Sequence, residues 1–135
     1  MLIGVPKEIK NNEFRVGMTP TSVREAIAHG HQVIVETNAG VGIGRSDDDY
    51  RAQGVEITDT AEEIFARADM IVKVKEPQAS ERKQLREQQI LFTYLHLAPD
   101  PEQTKDLVDS GAICIAYETV TDAKGRLPLL APMSQ

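Results

Sequence analysis

Short apolar runs that alternate with helix-forming segments are the feature that most constrains how this chain can fold. The runs cover residues 1–6, 32–36, 54–57, 69–74, 90–96 and 112–117. Apolar runs of this length, bounded by turn residues, are typical of buried strands in a parallel sheet. About six strands alternating with about five helices imply right-handed crossovers. The sequence therefore predicts an α/β fold of the Rossmann-like or flavodoxin-like type: a doubly wound, mostly parallel sheet with helices on both faces.

Capping and stop residues predict where the helices begin and end. Thr19 precedes Pro20 at a helix start, Ser46 precedes an acidic run, and Asp59 or Thr60 caps a third helix. Further signals are the glycine stops at positions 30 and 111, a charged helix over 80–87 with a solvated face, and an inward face formed by positions 107 and 108.

Two strands are followed by a basic side chain and then a proline. Pro77 and Pro99 indicate where these strands stop, because proline cannot continue a hydrogen-bonded ladder. Lys75 and His96 are therefore expected at the carboxyl ends of two strands, which is the edge of an open α/β sheet where ligands bind. A cation and a titratable imidazole at one rim predict a site for a small carbonyl acid.

Arg15, in the polar loop over 7–17, is the third candidate of this site. A guanidinium suits a carboxylate, an ammonium suits a carbonyl oxygen, and an imidazole transfers protons near neutral pH. Each residue also has a structural interpretation: Lys75 as a surface lysine, His96 as a core histidine and Arg15 as an exposed arginine. The combination carries the functional hypothesis.

The glycine-rich stretch over 38–47 suggests a phosphate-binding loop, because a strand, glycines and a helix start occur in order. The spacing of the dinucleotide fingerprint fails, since its third glycine would fall on Arg45 when counted from Gly40, or on Asp47 when counted from Gly42. The acidic residues at 47–49 would also repel a phosphate. A structural or substrate-side loop is favoured over a phosphate cradle.

Length and composition restrict the class of protein. A chain of 135 residues is one domain in size, and its formal charge of −6 with no tryptophan argues against nucleic acid or an anionic membrane surface as a partner. The single cysteine, Cys114, predicts a buried structural thiol and a reducing compartment. Neither a signal peptide nor a membrane span of about 20 apolar residues is evident, so a cytoplasmic protein is expected. No residues have metal-ligand spacing, so no metal is expected.

Several motifs in one order carry a family resemblance. They are IGVPKE at 3–8, EFRV at 13–16 followed by TP at 19–20, KVKEP at 73–77, YLHLA at 94–98 and LLAPMS at 129–134. In this register the whole chain resembles the alanine dehydrogenase family. The related transhydrogenase alpha subunit shares the opening and the final Pro-Met-Ser, but is not expected to have the histidine at position 96, so His96 favours the dehydrogenase.

The resemblance implies a reversible, NAD-dependent oxidative deamination of L-alanine to pyruvate and ammonia. By this resemblance Arg15 would grip the substrate carboxylate, Lys75 would bind the carboxylate or keto oxygen, and His96 would be the general acid/base. Met133 and Ser134 would contact the nicotinamide side of NAD. The full protein would be a homo-oligomer, a hexamer in this family.

The resemblance also places this chain, residues 1–135, as the N-terminal portion of a substrate domain. An NAD-binding Rossmann domain is expected after residue 135, so the chain alone is expected to be inactive. The alternatives are a non-catalytic module that binds a small 2-oxo or amino acid, a transhydrogenase-like domain, and a plain α/β domain without a site. The apolar residues Leu127, Leu129, Leu130 and Met133 predict a region that associates or is poorly ordered.

Overall fold

The computed structural model describes residues 1–97 and 99–126, which form a sheet with helices against it. The strands are β1 (Leu2–Val5), β2 (Gln32–Glu36), β3 (Glu56–Thr58), β4 (Met70–Val72), β5 (Ile90–Thr93) and β6 (Ile113–Ala116). The helices are α1 (Pro20–Ala28), α2 (Asp47–Arg51), α3 (Ala61–Arg67), α4 (Ala79–Arg82) and α5 (Pro101–Ser110). Two short 3-10 helices cover Val41–Ile43 and Tyr117–Thr119.

The six strands form one parallel sheet in the order β3-β2-β1-β4-β5-β6. The central strand β1 pairs with β2 on one side and β4 on the other, so that Gly4 lies opposite both Ile34 and Ile71. The strand order reverses at β1, and ligands of open α/β sheets bind outside the carboxyl ends of the strands at such a point. The predicted doubly wound parallel sheet is confirmed.

Each face of the sheet buries its own apolar cluster. In β2, Val33 and Val35 belong to one cluster and Ile34 to the other, as expected when successive side chains point to opposite faces. The first cluster includes Val23 of α1 and Tyr50 of α2, and the second includes the α3 and α5 residues Ile64, Phe65 and Leu107. Helices therefore cover both faces of the sheet.

The helix boundaries predicted from capping residues and glycine stops agree with the structure because these signals are local. Thr19 Oγ1 accepts a hydrogen bond from the Ser22 amide, Ser46 caps α2, and Thr60 rather than Asp59 caps α3. The glycines at 30 and 111 have φ angles of +89° and +72°, the left-handed conformation that ends helices.

The strands that lead to Lys75 and His96 end earlier than the prolines predict. β4 ends at Val72 and β5 ends at Thr93, so each candidate side chain lies three positions beyond its strand. Proline is therefore not what terminates these strands. The carboxylates of Glu8 and Glu118 accept the backbone N–H groups that a longer ladder would have used.

The prediction of a solvated charged helix over residues 80–87 is wrong in part. Helix α4 ends at Arg82, and both Glu81 and Arg82 are buried. Arg82 Nε donates to Asp106 Oδ2 at 2.8 Å, and Glu81 pairs with Lys73. Burial of these charges is tolerated because each has an oppositely charged partner.

The inward face of α5 also differs from the prediction. Leu107 is buried, but Val108 is 75% exposed, and the second inward position is Gln103, one turn before Leu107. The side-chain Nε2 of Gln103 donates to the carbonyl oxygen of Leu95 at 2.9 Å, which satisfies the buried donor of this side chain. Cys114 is half-buried, and burial raises the pKa of its thiol.

Within the described ranges, the helices are too short and too polar to cross a membrane. The apolar residues predicted to associate, Leu127, Leu129, Leu130 and Met133, lie outside the described residues.

Candidate functional site

Loops from the carboxyl ends of three neighbouring strands carry the three candidate side chains. Arg15 lies in the loop after β1, Lys75 follows β4 and His96 follows β5. Because β1, β4 and β5 are adjacent and parallel, these loops leave the sheet at the same edge. The structure therefore brings the three segments to the edge where the sequence predicts a site.

A buried carboxylate shapes the turn that presents Lys75. Glu8 accepts hydrogen bonds from the Val74 and Lys75 amides, both at 3.1 Å. It also accepts from Lys73 Nζ at 3.1 Å, and the side chains of both Glu8 and Lys73 are almost fully buried. Removing one member of a buried ion pair typically costs about 3–5 kcal/mol, because the other charge stays buried without a partner. Glu8 thus joins the loop after β1 to the turn after β4.

A second buried carboxylate completes this ion cluster. Glu81 Oε2 lies 3.1 Å from Lys73 Nζ, so one lysine faces two glutamates. Burial raises the pKa of Glu81, and the attraction of Lys73 opposes that rise. Because Glu8 also accepts the Val74 and Lys75 amides, the cluster anchors the backbone that leads to Lys75.

Lys75 lies over an aromatic ring. Its Nζ is 5.0 Å from the centroid of Tyr94, within the range of a cation–π interaction. The carbonyl oxygen of Lys75 accepts a hydrogen bond from Thr93 Oγ1 at 2.8 Å. The residue is therefore fixed at its backbone, and its charged tip faces the segment that follows β5.

His96 contacts the same tyrosine. The Tyr94 hydroxyl lies 3.0 Å from His96 Nδ1, and the two rings stack with their centroids 5.5 Å apart. His96 is exposed to solvent. The structure thus places Lys75 and His96 on one shared aromatic residue.

The backbone of His96 is unusual. Its φ angle is +49°, in the left-handed region that costs a non-glycine residue about 1–2 kcal/mol. Glu118 opposes that cost, since its two carboxylate oxygens accept the amides of Leu95 and His96 at 3.1 and 2.8 Å. Backbone strain of this kind clusters at functional sites.

Arg15 is held by a neighbouring carboxylate. Its guanidinium donates to both oxygens of Glu13, from Nη2 at 2.7 Å and from Nε at 2.9 Å. The hydrogen bond from Arg15 is the main reason why the pKa of Glu13 lies below its ordinary value, and the Lys75 charge contributes to the same shift. About half of the Arg15 side chain remains exposed, so the guanidinium is oriented but accessible.

A cleft of about 250 Å³ adjoins Arg15. It is lined by Lys7, Glu8, Glu13, Phe14, Arg15, Asn38, Ala39, Val41 and Gly42. The volume suits a small acid better than a dinucleotide. A larger cavity of about 550 Å³ lies between α1 and α2 and contains none of the three candidates.

The glycine-rich loop has a structural reason for its glycines. A Cβ atom on Gly42 would come within 2.1 Å of the Phe14 carbonyl oxygen, so only glycine allows this approach. The space beside Gly42 is thus filled by the backbone next to Arg15. This geometry favours the substrate-side interpretation of the loop over the phosphate cradle.

Sequence analysis missed the residues that position the candidates. Glu8, Glu13 and Glu118 each bond a candidate or its backbone, and Tyr94 lies between two of them. Each is close to a strand end or a candidate, but that signal is too common to be specific. The proposed cofactor-contacting residues Met133 and Ser134 lie outside the described residues.

Comparison with known proteins supplies the family context. A family profile described as "Alanine dehydrogenase/PNT, N-terminal domain" matches residues 4–135. The alanine dehydrogenase of Methanococcus maripaludis is 56% identical over 135 residues, which are all of this chain and 36% of that protein. The chain thus spans about a third of the length of this relative.

Solved structures with a similar fold include two that bear on the function. An L-alanine dehydrogenase superimposes with a TM-score of 0.95 at 51% identity, over 99% of this chain and 37% of its own. A transhydrogenase from Sinorhizobium meliloti superimposes with a TM-score of 0.82 at 28% identity, over 87% of this chain and 35% of its own.

Proposed function

We propose, because this chain belongs to the family of alanine dehydrogenase/PNT N-terminal domains, that it is the substrate-binding part of an NAD-dependent alanine dehydrogenase. In the proposed reaction L-alanine, NAD and water give pyruvate, ammonia, NADH and a proton. The observation that carries the proposal is the shared contact of Lys75 and His96 with Tyr94, at the sheet edge reached by the Arg15 loop.

In this proposal Arg15 binds the substrate carboxylate. Its guanidinium is already fixed in one plane by Glu13, and about half of the side chain remains open to the cleft. A guanidinium offers two parallel N–H groups that match both oxygens of a carboxylate. The first step is thus to orient the small acid with its reacting carbon away from Arg15.

Lys75 and His96 act on the reacting carbon. An ammonium beside the keto oxygen stabilises negative charge that develops there, and it can also bind the carboxylate. The His96 imidazole moves the proton of the attacking water or of the departing amine. Because the Tyr94 hydroxyl contacts His96 Nδ1, Nε2 is the nitrogen that we assign to the proton transfer with the substrate.

The described residues do not fit the dinucleotide itself. At the carboxyl end of β1, where a Rossmann domain has a glycine loop, this chain has Pro6, Lys7 and Glu8. The buried Glu8 carboxylate would repel a pyrophosphate, and the space beside Gly42 is filled by Phe14. We therefore assign NAD mainly to a second, Rossmann-type domain that follows residues 1–135, with Met133 and Ser134 near the nicotinamide.

The proposal extends to the location, oligomeric state and partners of the whole protein. We propose a cytoplasmic homo-oligomer, a hexamer as the family resemblance implies, with L-alanine or pyruvate and ammonia as its small-molecule partners. Neither nucleic acid nor a membrane is a proposed partner, given the formal charge of −6.

A transhydrogenase-like domain is the second candidate, favoured by the 28% identical Sinorhizobium meliloti structure. A binding module without turnover is the third. An imidazole positioned by Tyr94 is useful for proton transfer and has no evident use in either alternative. His96 therefore discriminates in favour of the dehydrogenase.

The test has two parts, and the first is binding to the 135-residue chain. Pyruvate should shift the NMR signals of Arg15, Lys75 and His96, while the signals of the distant His29 stay unchanged. The chain alone should form no NADH from alanine, because water-excluding and dinucleotide-binding residues are missing. If the signals of all three residues stay unchanged when pyruvate is added, the assigned site is refuted.

The second part measures turnover in a protein in which this chain is followed by the nucleotide domain. His96→Ala and Lys75→Ala should each lower alanine-dependent NADH formation about a hundredfold or more. His29→Ala, at the exposed C-cap of α1, and Lys105→Ala, at an exposed position of α5, are the matched controls. Near-normal rates for both site variants would refute the mechanism.

A further inference from the structure

The turn after β6 contacts both segments that carry the proposed reacting groups. This turn, the 3-10 helix Tyr117–Thr119, begins directly after the strand ends at Ala116. Two adjacent residues, Tyr117 and Glu118, reach toward different neighbours across the edge of the sheet. These contacts are with the backbone of neighbouring segments, as expected of residues that position a site rather than line a substrate pocket.

Glu118 holds the His96 segment. Both of its carboxylate oxygens are used on consecutive backbone N–H groups, those of Leu95 and His96. Two N–H groups can converge on one carboxylate when the backbone turns sharply, and His96 does so with its φ angle of +49°. The charged acceptor thus favours the left-handed conformation that directs the imidazole to Tyr94.

Tyr117 holds the Lys75 segment. Its hydroxyl donates to the carbonyl oxygen of Lys73 at 2.6 Å, at the first residue after β4. Its ring packs edge-to-face on Phe92 of β5, with centroids 4.3 Å apart. Burial raises the pKa of Tyr117, so the hydroxyl stays protonated and remains a donor.

The two contacts are coupled because Tyr117 and Glu118 are neighbours in one short helical turn. A displacement of this turn would loosen the backbone before Lys75 and the backbone of His96 together. The cleft beside Arg15 is lined by none of Tyr117, Glu118, Lys75 and His96, so the role of the turn rests on its hydrogen bonds alone.

We propose that Tyr117 and Glu118 are positioning residues, a brace that holds Lys75 and His96 in register with each other. The proposal rests on the function proposed above, since it assigns a role within that same site. Glu118 acts through the His96 backbone, and Tyr117 acts through the Lys73 carbonyl. Neither residue is a catalytic residue.

The first test uses isotope-labelled 135-residue chain and NMR. Glu118→Gln keeps the size of the side chain but replaces one acceptor oxygen with an NH₂ group, which cannot accept an amide proton. Amide hydrogen exchange at Leu95 and His96 should accelerate at least about tenfold, as expected for a local opening. The imidazole ¹⁵N signals of His96 should also change, since its contact with Tyr94 loosens.

Matched variants separate this effect from general damage. Glu25→Gln removes an exposed carboxylate on α1 and should leave the His96 signals as in the wild type. Tyr117→Phe should shift the Lys75 signals while the exchange at His96 changes less. Glu118→Asp retains the charge and should restore part of the exchange protection. Unchanged His96 amide and ring signals in Glu118→Gln would overturn the proposal.

The second test is kinetic, in a protein in which the nucleotide domain follows. Glu118→Gln should lower kcat at least about tenfold with KM for pyruvate within about threefold, because Arg15 still binds the carboxylate. A purely structural role would lower the melting temperature without this split, and kcat equal to that of the wild type would overturn the brace. A wild-type protein that forms no NADH from alanine would refute the proposed function, and the NMR result would still decide whether the brace exists.

Discussion

The ammonium nitrogen of Lys75 lies 5.0 Å from the centroid of the Tyr94 ring. The hydroxyl of that ring lies 3.0 Å from His96 Nδ1 and the two rings stack, so a single tyrosine contacts a cation with its ring and an imidazole with its hydroxyl. Cation–π interactions are worth about 0.5–1 kcal/mol when exposed and about 2 kcal/mol when desolvated. Two substitutions of Tyr94 can therefore test its contact with Lys75 and its contact with His96 separately.

Tyr94→Phe should affect His96 alone, because the ring under Lys75 remains and only the hydroxyl is lost. Tyr94→Leu should affect both residues. We expect the ¹⁵N signals of the His96 ring to change in both variants, and the Lys75 side-chain signals to change only in Tyr94→Leu. Lys75 signals that move equally in the two variants would argue against the ring contact.

Arg15→Lys should weaken pyruvate binding to the chain about tenfold. A lysine keeps the charge but loses the planar pair of N–H groups that holds both carboxylate oxygens. Isothermal titration with pyruvate measures the effect, with Arg24→Lys on the exposed face of α1 as its control. Equal affinities for wild type and Arg15→Lys would remove Arg15 from the proposed site.

Gly42→Ala should disturb the Arg15 loop, since the new Cβ would lie 2.1 Å from the Phe14 carbonyl oxygen. We expect the amide signals of Phe14 and Arg15 to shift and pyruvate affinity to fall several-fold. Gly44→Ala is the control, because its Cβ meets nothing within 4 Å but its φ of +75° is strained. That control should lose about 1–2 kcal/mol of stability with pyruvate affinity unchanged.

Glu81→Gln should change how stability depends on pH. Burial raises the pKa of Glu81 above its ordinary value of 4.5, so the folded state binds more protons than the unfolded state between the two values. The stability contributed by this group is therefore lost as pH rises through that window. Glutamine does not titrate, so the free energy of unfolding of Glu81→Gln, relative to the wild type, should increase as pH rises above 4.5.

Urea unfolding of the wild type and the Glu81→Gln variant between pH 5 and pH 8 provides the measurement, and Glu25→Gln serves as an exposed carboxylate control. A difference between variant and wild type that stays constant, or decreases, as pH rises would contradict the raised pKa of Glu81.

The sequence by itself determined the type and order of the elements, because their signals are local. Apolar runs, polar caps and glycine stops act within a few residues, so the six strands and most helix boundaries were predictable, as was the edge that carries Lys75 and His96. Predictions that depended on partners elsewhere in the chain failed. Glu81 is buried, and its charge is paired with Lys73. On α5 the buried positions are Gln103 and Leu107, and Gln103 bonds to the Leu95 carbonyl oxygen, whereas Val108 is exposed.

Only the tertiary structure decided how the site is held. Glu8 receives the Val74 amide from 66 positions away, and Glu118 receives the His96 amide from 22 positions away. A carboxylate that accepts backbone N–H groups leaves no local pattern, because any acidic residue could do so once the fold brings the segments together. In the sequence, the prolines were the only visible signal for the strand ends. In the structure, the carboxylates of Glu8 and Glu118 lie at these ends and accept the backbone amides that the strand ladder leaves unpaired.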